Sequence, residues 1–119
     1  MRGTVAIHVR YKIKPGNKER MREIIYRCMD HMQHEDDFVM ATAHDSMTEP
    51  NEIFLYEIWN CTREKFYAEQ HPKAYRQEYN EALQTLIYDR IGVWLTPDAE
   101  WGSTLTIHAG KRKDEPKTR

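Results

Sequence analysis

Little in this sequence marks a specialised chain, and each shortage narrows its function. Only two cysteines, Cys28 and Cys61, stand among 119 residues. Their separation fits neither a metal site nor a redox pair, so they read as small apolar fillers. Charge of one sign is lacking too: the net charge of -1 and a pI near 6.6 supply no basic field for nucleic acid or an anionic membrane. No run approaches the roughly 20 apolar residues of a membrane span. Met1-Arg2-Gly3 leads straight into strand-like sequence rather than a signal peptide, so a cytoplasmic protein is expected. There is no Gly-rich phosphate loop, nucleophile elbow or zinc motif, which takes away the usual support for nucleotide, flavin or nicotinamide chemistry. No cofactor and no metal are expected.

What is present is a single domain's worth of alternating strand and helix patterns. Ile53 to Asn60 is a run of β-branched and aromatic residues bounded by turn formers, and reads as the central strand. Both of its faces are apolar, with Glu57 the only charge inside, so both faces need cover. Helices of the same chain can cover one, and a second copy is the natural cover for the other.

Thr4 to Ile13 alternates, with Val5, Ile7, Val9, Tyr11 and Ile13 on one face and His8, Arg10 and Lys12 on the other. Lys14-Pro15-Gly16 ends this strand, and Asn17 is placed to cap a helix that carries Met21, Ile24, Ile25, Cys28 and Met32 on one side. Phe38 to Met47 is a strand with Phe38, Met40, Thr42 and His44 on one face, joined to the central strand by a hairpin. After Trp59, Thr62 can cap a helical turn and Pro72 suits the first turn of a main helix bearing Tyr75, Tyr79, Ala82, Leu83, Leu86 and Ile87. Ile91 to Thr96 gives a fourth strand and Thr104 to His108 a short fifth, and residues 110–119 form a charged, disordered tail behind a domain of residues 1–109. The order β-α-β-β-α-β is that of an α+β, ferredoxin-like fold with an antiparallel sheet. Two such sheets packed face to face give a dimeric α+β barrel, a homodimer.

From Val5 to Pro97 the chain resembles the antibiotic biosynthesis monooxygenase domains, a family of small dimeric α+β barrels that includes quinol monooxygenases. Three pieces carry the resemblance: Lys14-Pro15-Gly16 ahead of the first helix, Tyr56-Glu57-x-Trp59, and His71-Pro72-Lys73-Ala74-Tyr75. Members usually show two histidines after the tryptophan of the third strand. Here the first position falls near Ala68, and His71 matches the second only approximately. Haem-degrading members are similar to one another through an asparagine, a tryptophan and a histidine; this chain has Val9 or His8, Ala68, and Arg76 or Glu78 near those places, which disfavours haem degradation.

The resemblance implies a cofactor-independent monooxygenase that oxidises a quinol or polycyclic phenol with molecular oxygen. His71 is the candidate base, since imidazole titrates near neutrality, and Tyr75 or His8 the group holding the substrate oxygen. The plainer reading of His71 is a helix cap. Trp59, Tyr75 and Tyr79 could line a pocket for a small aromatic substrate, or serve as ordinary core. His8, Arg10 and His44 could orient a quinol oxygen, or line the interior of the dimer. Two rivals stay open: isomerase or lyase processing of a small polar metabolite, and a non-catalytic ligand-binding dimer. An aromatic pocket with few charges favours the oxygenase, a charged pocket the isomerase or lyase, and a filled interior the binding dimer.

Overall fold

The computed structural model describes residues 3–102. The proposed fifth strand and charged tail lie outside them. Four strands, β1 (Val5–Ile13), β2 (Phe38–Asp45), β3 (Glu52–Trp59) and β4 (Ile87–Leu95), form one antiparallel sheet in the order β2-β3-β1-β4. Three helices, α1 (Lys18–Met32), α2 (Arg63–Glu69) and α3 (Gln77–Thr85), accompany it, and a 3-10 turn (Ala74–Arg76) leads into α3. This is the ferredoxin-like arrangement expected from the pattern.

The period-two pattern of β1 decides which side is core. Ile7, Val9, Tyr11 and Ile13 are buried against Ile53, Leu55 and Trp59 of β3 and against Met21, Ile24, Ile25, Cys28 and Met32 of α1. The opposite face carries Phe54, Tyr56 and Ile58 beside Ala6, His8 and Arg10, flanked by Met40, Thr42 and His44 on β2 and Ile91, Val93 and Leu95 on β4. Among the described residues no helix covers it, and the three aliphatic residues of β4 are exposed. Among the described residues no helix is long and apolar enough to cross a membrane.

Several local expectations change. The pairing of β2 with β3 shifts between Phe38 and Met40, so Phe38 joins Trp59 on the core side, away from Met40, Thr42 and His44. One extra residue in a strand inverts the alternation before it. Asn17 precedes α1 without a side-chain cap bond, whereas Thr62 accepts from the Lys65 amide and caps α2. Pro72 falls in the turn between α2 and the 3-10 turn, not in a helix. β4 begins at Ile87, four residues before the expected start at Ile91. The helix hands over to the strand at Leu86 with no loop between, and the Leu86 carbonyl accepts from the Lys14 amide at 3.0 Å.

Candidate functional site

Between the sheet and the helices lies a cavity of about 20 Å³, room for about one water molecule. Its apolar wall is built by Ile7, Leu55, Ile25 and Phe66 together with the flexible side chains of Met29 and Met32. Into it project Glu57, Arg76, Arg90, Tyr11, Tyr79 and Cys28. Polar groups in such a place are costly unless paired, so their partners matter.

Glu57 stands in the middle of β3, opposite Ile7 on β1 and Ala41 on β2, and only 6% of it is exposed. Its Oε1 accepts from Trp59 Nε1 at 2.8 Å. Burial raises its pKa, while that bond and the nearby guanidinium groups of Arg76 and Arg90 oppose the rise. A carboxyl so placed takes up a proton more readily than a surface one.

Tyr11 and Tyr79 share a hydrogen bond at 2.7 Å between their hydroxyl oxygens, and Arg90 Nε donates to the Tyr79 oxygen at 3.0 Å. Burial pushes the Tyr11 phenol well above its usual pKa. Burial also works against the charge of Arg90, but the two phenol oxygens facing it hold the pKa above the ordinary arginine value. Gly92 makes room for this side chain: a Cβ there would lie 3.0 Å from Arg90 Nη1.

Arg76, 6% exposed, reaches in from the 3-10 turn with its guanidinium 5.2 Å from the Tyr79 ring centre and 5.7 Å from that of Phe66. Its Nη1 donates to Met32 Sδ at 3.4 Å. The Cys28 thiol donates to the same sulfur at 3.7 Å, and burial pushes its pKa up to about 11, which keeps it protonated. Both cysteines are free and buried, as expected of apolar fillers.

The residues expected from sequence divide among three places. Tyr79 lines the cavity, and Trp59, fully buried, holds Glu57 from the side. His71 follows α2 as an exposed residue with its ring 6.0 Å from that of Tyr67, and Tyr75 donates to Glu35 at 3.0 Å and stacks on His31 at 5.0 Å. Neither lines the cavity. His8, Arg10 and His44 all lie on the open sheet face, where Arg10 makes a two-pronged pair with Glu52 at 2.7 and 3.1 Å and His8 stacks on Phe54 at 5.7 Å.

Sequence reasoning passed over Glu57, Arg76, Arg90 and Tyr11. Glu57 carried a usable signal as the sole charge in a strand apolar on both faces. Arg76 carried another, since it precedes Tyr79 by one helical turn and so shares its side of the chain. Among the described residues no group of three His, Cys, Asp or Glu side chains is arranged to hold a metal ion.

Comparison with known proteins agrees with this architecture. A protein from Pseudomonas aeruginosa superposes with a TM-score of 0.74 at 11% identity over 83% of this chain and 98% of its own. SnoaB, a cofactor-independent oxygenase from Streptomyces nogalater solved as a mutant, gives 0.71 at 14% identity over 85% of this chain and 99% of its own. A protein from Shewanella oneidensis gives 0.70 at 14% identity over 79% of this chain and 90% of its own. At such identities the likeness is one of fold. No curated protein matches by sequence. The sequence model of the family described as antibiotic biosynthesis monooxygenase matches residues 4–77, most of the chain and every element from β1 through the 3-10 turn. The chain belongs to that family.

Proposed function

We propose that this protein is a cofactor-independent monooxygenase that oxidises a quinol or polycyclic phenol with molecular oxygen in the cavity between helices and sheet. The observation that carries the reading is the match to the monooxygenase family; within the cavity a buried carboxyl, Glu57, set beside buried Arg76, half-buried Arg90 and a hydrogen-bonded tyrosine pair supplies the groups the reaction needs. Glu57 takes the proton of a substrate hydroxyl, a role we assign to it rather than to the exposed His71. Arg90 holds the charge of the resulting anion, and Tyr11 and Tyr79, to which Arg90 is bonded, keep its oxygen oriented. The electron-rich anion gives an electron to oxygen, and the two radicals join at a ring carbon. The O–O bond then breaks. The attacked ring carbon thereby loses its hydrogen and gains a carbonyl oxygen, the substrate hydroxyl becomes a second carbonyl, and the other oxygen atom leaves as water with that hydrogen and the hydroxyl proton.

The cavity is far below the roughly 300 Å³ at which ligand pockets begin. Binding therefore displaces Met29, Met32 and Phe66, of which the methionines are the most adaptable. Trp59 stays as the wall behind Glu57. The exposed apolar face of the sheet supports a homodimer, with His8 and His44 inside its barrel.

The three charged side chains favour a second reading, proton transfer on a small polar metabolite. Oxygen uptake by metal-free protein against a panel of hydroquinones and hydroxylated polycyclic aromatics separates the two, with heat-inactivated protein as control. Saturable uptake is expected. A panel that consumes no oxygen, together with thermal stabilisation by small polar anions, supports the second reading instead.

A further inference from the structure

The arginines of the cavity are not equivalent. Arg90 is engaged by the phenol oxygen of Tyr79. Arg76 is as thoroughly buried as Glu57, yet its Nε has no hydrogen-bond partner among the described residues, and its Nη1 meets only a thioether. Thioether sulfur is a weak acceptor. Two aromatic faces attract the guanidinium without supplying an acceptor. Among the described residues no carboxylate lies within ion-pair distance of either arginine. Glu57, the one acid lining the cavity, has its Oε1 taken by Trp59. The cavity thus has two permanent positive charges against one carboxyl that burial inclines to bind a proton. A buried guanidinium left in this state wants an anion with at least one oxygen for Nε.

We propose that the substrate is an anionic phenol, bearing a carboxylate on its ring, and that Arg76 is the group that binds the carboxylate. The assignment rests on the reading of the cavity as the oxygenase site. It divides the labour within it: Arg76 anchors a charge that the substrate brings, while Glu57 and Arg90 act on the hydroxyl that loses its proton. A neutral hydroquinone of the same shape leaves Arg76 unpaired and binds less well.

The test uses two probes of nearly equal size, 2,5-dihydroxybenzoate and 2,5-dihydroxybenzamide, titrated calorimetrically into the full chain near neutral pH. The benzoate is expected to bind more tightly by on the order of 10-fold to 100-fold, the range of a charged hydrogen bond. Arg76→Gln removes that preference while leaving the weaker affinity for the amide, and Arg76→Lys, which keeps the charge without the fork, restores part of it. If Arg76→Gln does not fold, the wild-type preference and its weakening in Arg76→Lys decide the question. Equal affinities in the wild type, a preference that survives in Arg76→Gln, or binding of neither probe overturns the inference. Oxygen uptake, measured separately with both probes, reports on the reaction. A charge preference without oxygen consumption leaves the anion site standing and removes the oxygenase reading. Consumption with equal affinities does the reverse.

Discussion

Glu57 concentrates the consequences of single-residue change. Replacing it with Gln preserves an oxygen to accept from Trp59 but abolishes the proton acceptor, so turnover is expected to fall by roughly 100-fold to 10,000-fold, measured as oxygen uptake. His71→Ala, an exposed change outside the cavity, is expected to leave turnover unaltered; a large loss there would return the base role to His71. Acid and base titration of stability offers a second view of Glu57. Its pKa is higher in the folded chain than in the unfolded one, so the folded state holds the extra proton between those two values. Stability contributed by this group is greatest below the unfolded pKa and is lost as pH rises through the folded one. Chemical denaturation at a series of pH values should therefore find Glu57→Gln gaining on the wild type as pH rises toward neutrality. The sequence made Glu57 visible, because a lone charge in an apolar strand needs a reason. It could not supply the reason. Arg76 and Arg90 come from a turn and an edge strand distant along the chain, and only folding brings them beside it.

Elements were legible to the extent that their signals are local. The alternation of β1 and the helical rows of α1 survive almost unchanged, because each pattern repeats often enough to settle both type and inward face. The shift at Val39 left no local mark, and it moved Phe38 to the opposite face from Met40. Capping went both ways for the same reason. Asn17 is if anything the better cap residue in sequence, but only Thr62 is oriented so that its side-chain oxygen meets a free amide, that of Lys65. Thr62→Ala is expected to cost about 0.5 to 2 kcal/mol, read as a lower midpoint in urea with an unchanged slope. Phe66, held by α2, packs against Trp59 and Trp94 at 5.1 and 5.4 Å and closes the cavity. Phe66→Ala should lose about 3 to 5 kcal/mol of stability in the same experiment and admit larger phenols, seen as a wider substrate range in oxygen uptake.

Across the whole molecule, the unequal sides of the sheet are the dominant fact. One side is closed by helices; the other is apolar, carries His8, Arg10 and His44, and ends in the exposed Ile91, Val93 and Leu95 of β4. That asymmetry was readable from the doubly apolar central strand alone. Val93→Asp puts a charge where the lone chain meets water but where a face-to-face dimer would be dry. Light scattering at micromolar concentration is expected to give a dimer mass for the wild type and a monomer mass for the variant, with circular dichroism unchanged. A monomer mass for the wild type would refute the dimer.

The join between α3 and β4 also sets one wall of the cavity apart from the other. With no loop at Leu86, and with its carbonyl tied to the strand-end amide of Lys14, helix and strand form a fixed frame. Tyr79 and Arg90, one on each side of that corner, belong to the frame and keep their spacing. Phe66 and Arg76 are carried by short pieces joined through exposed His71, Pro72 and Lys73, and side chains rather than a shared backbone corner hold them: Lys73 and Tyr75 to Glu35, and Lys65 to Asp37. The interior therefore has two kinds of wall, a hinge side of backbone and a latch side of side chains: making room beside Phe66 and Arg76 breaks side-chain contacts alone, whereas making room beside Tyr79 and Arg90 breaks the backbone of the corner.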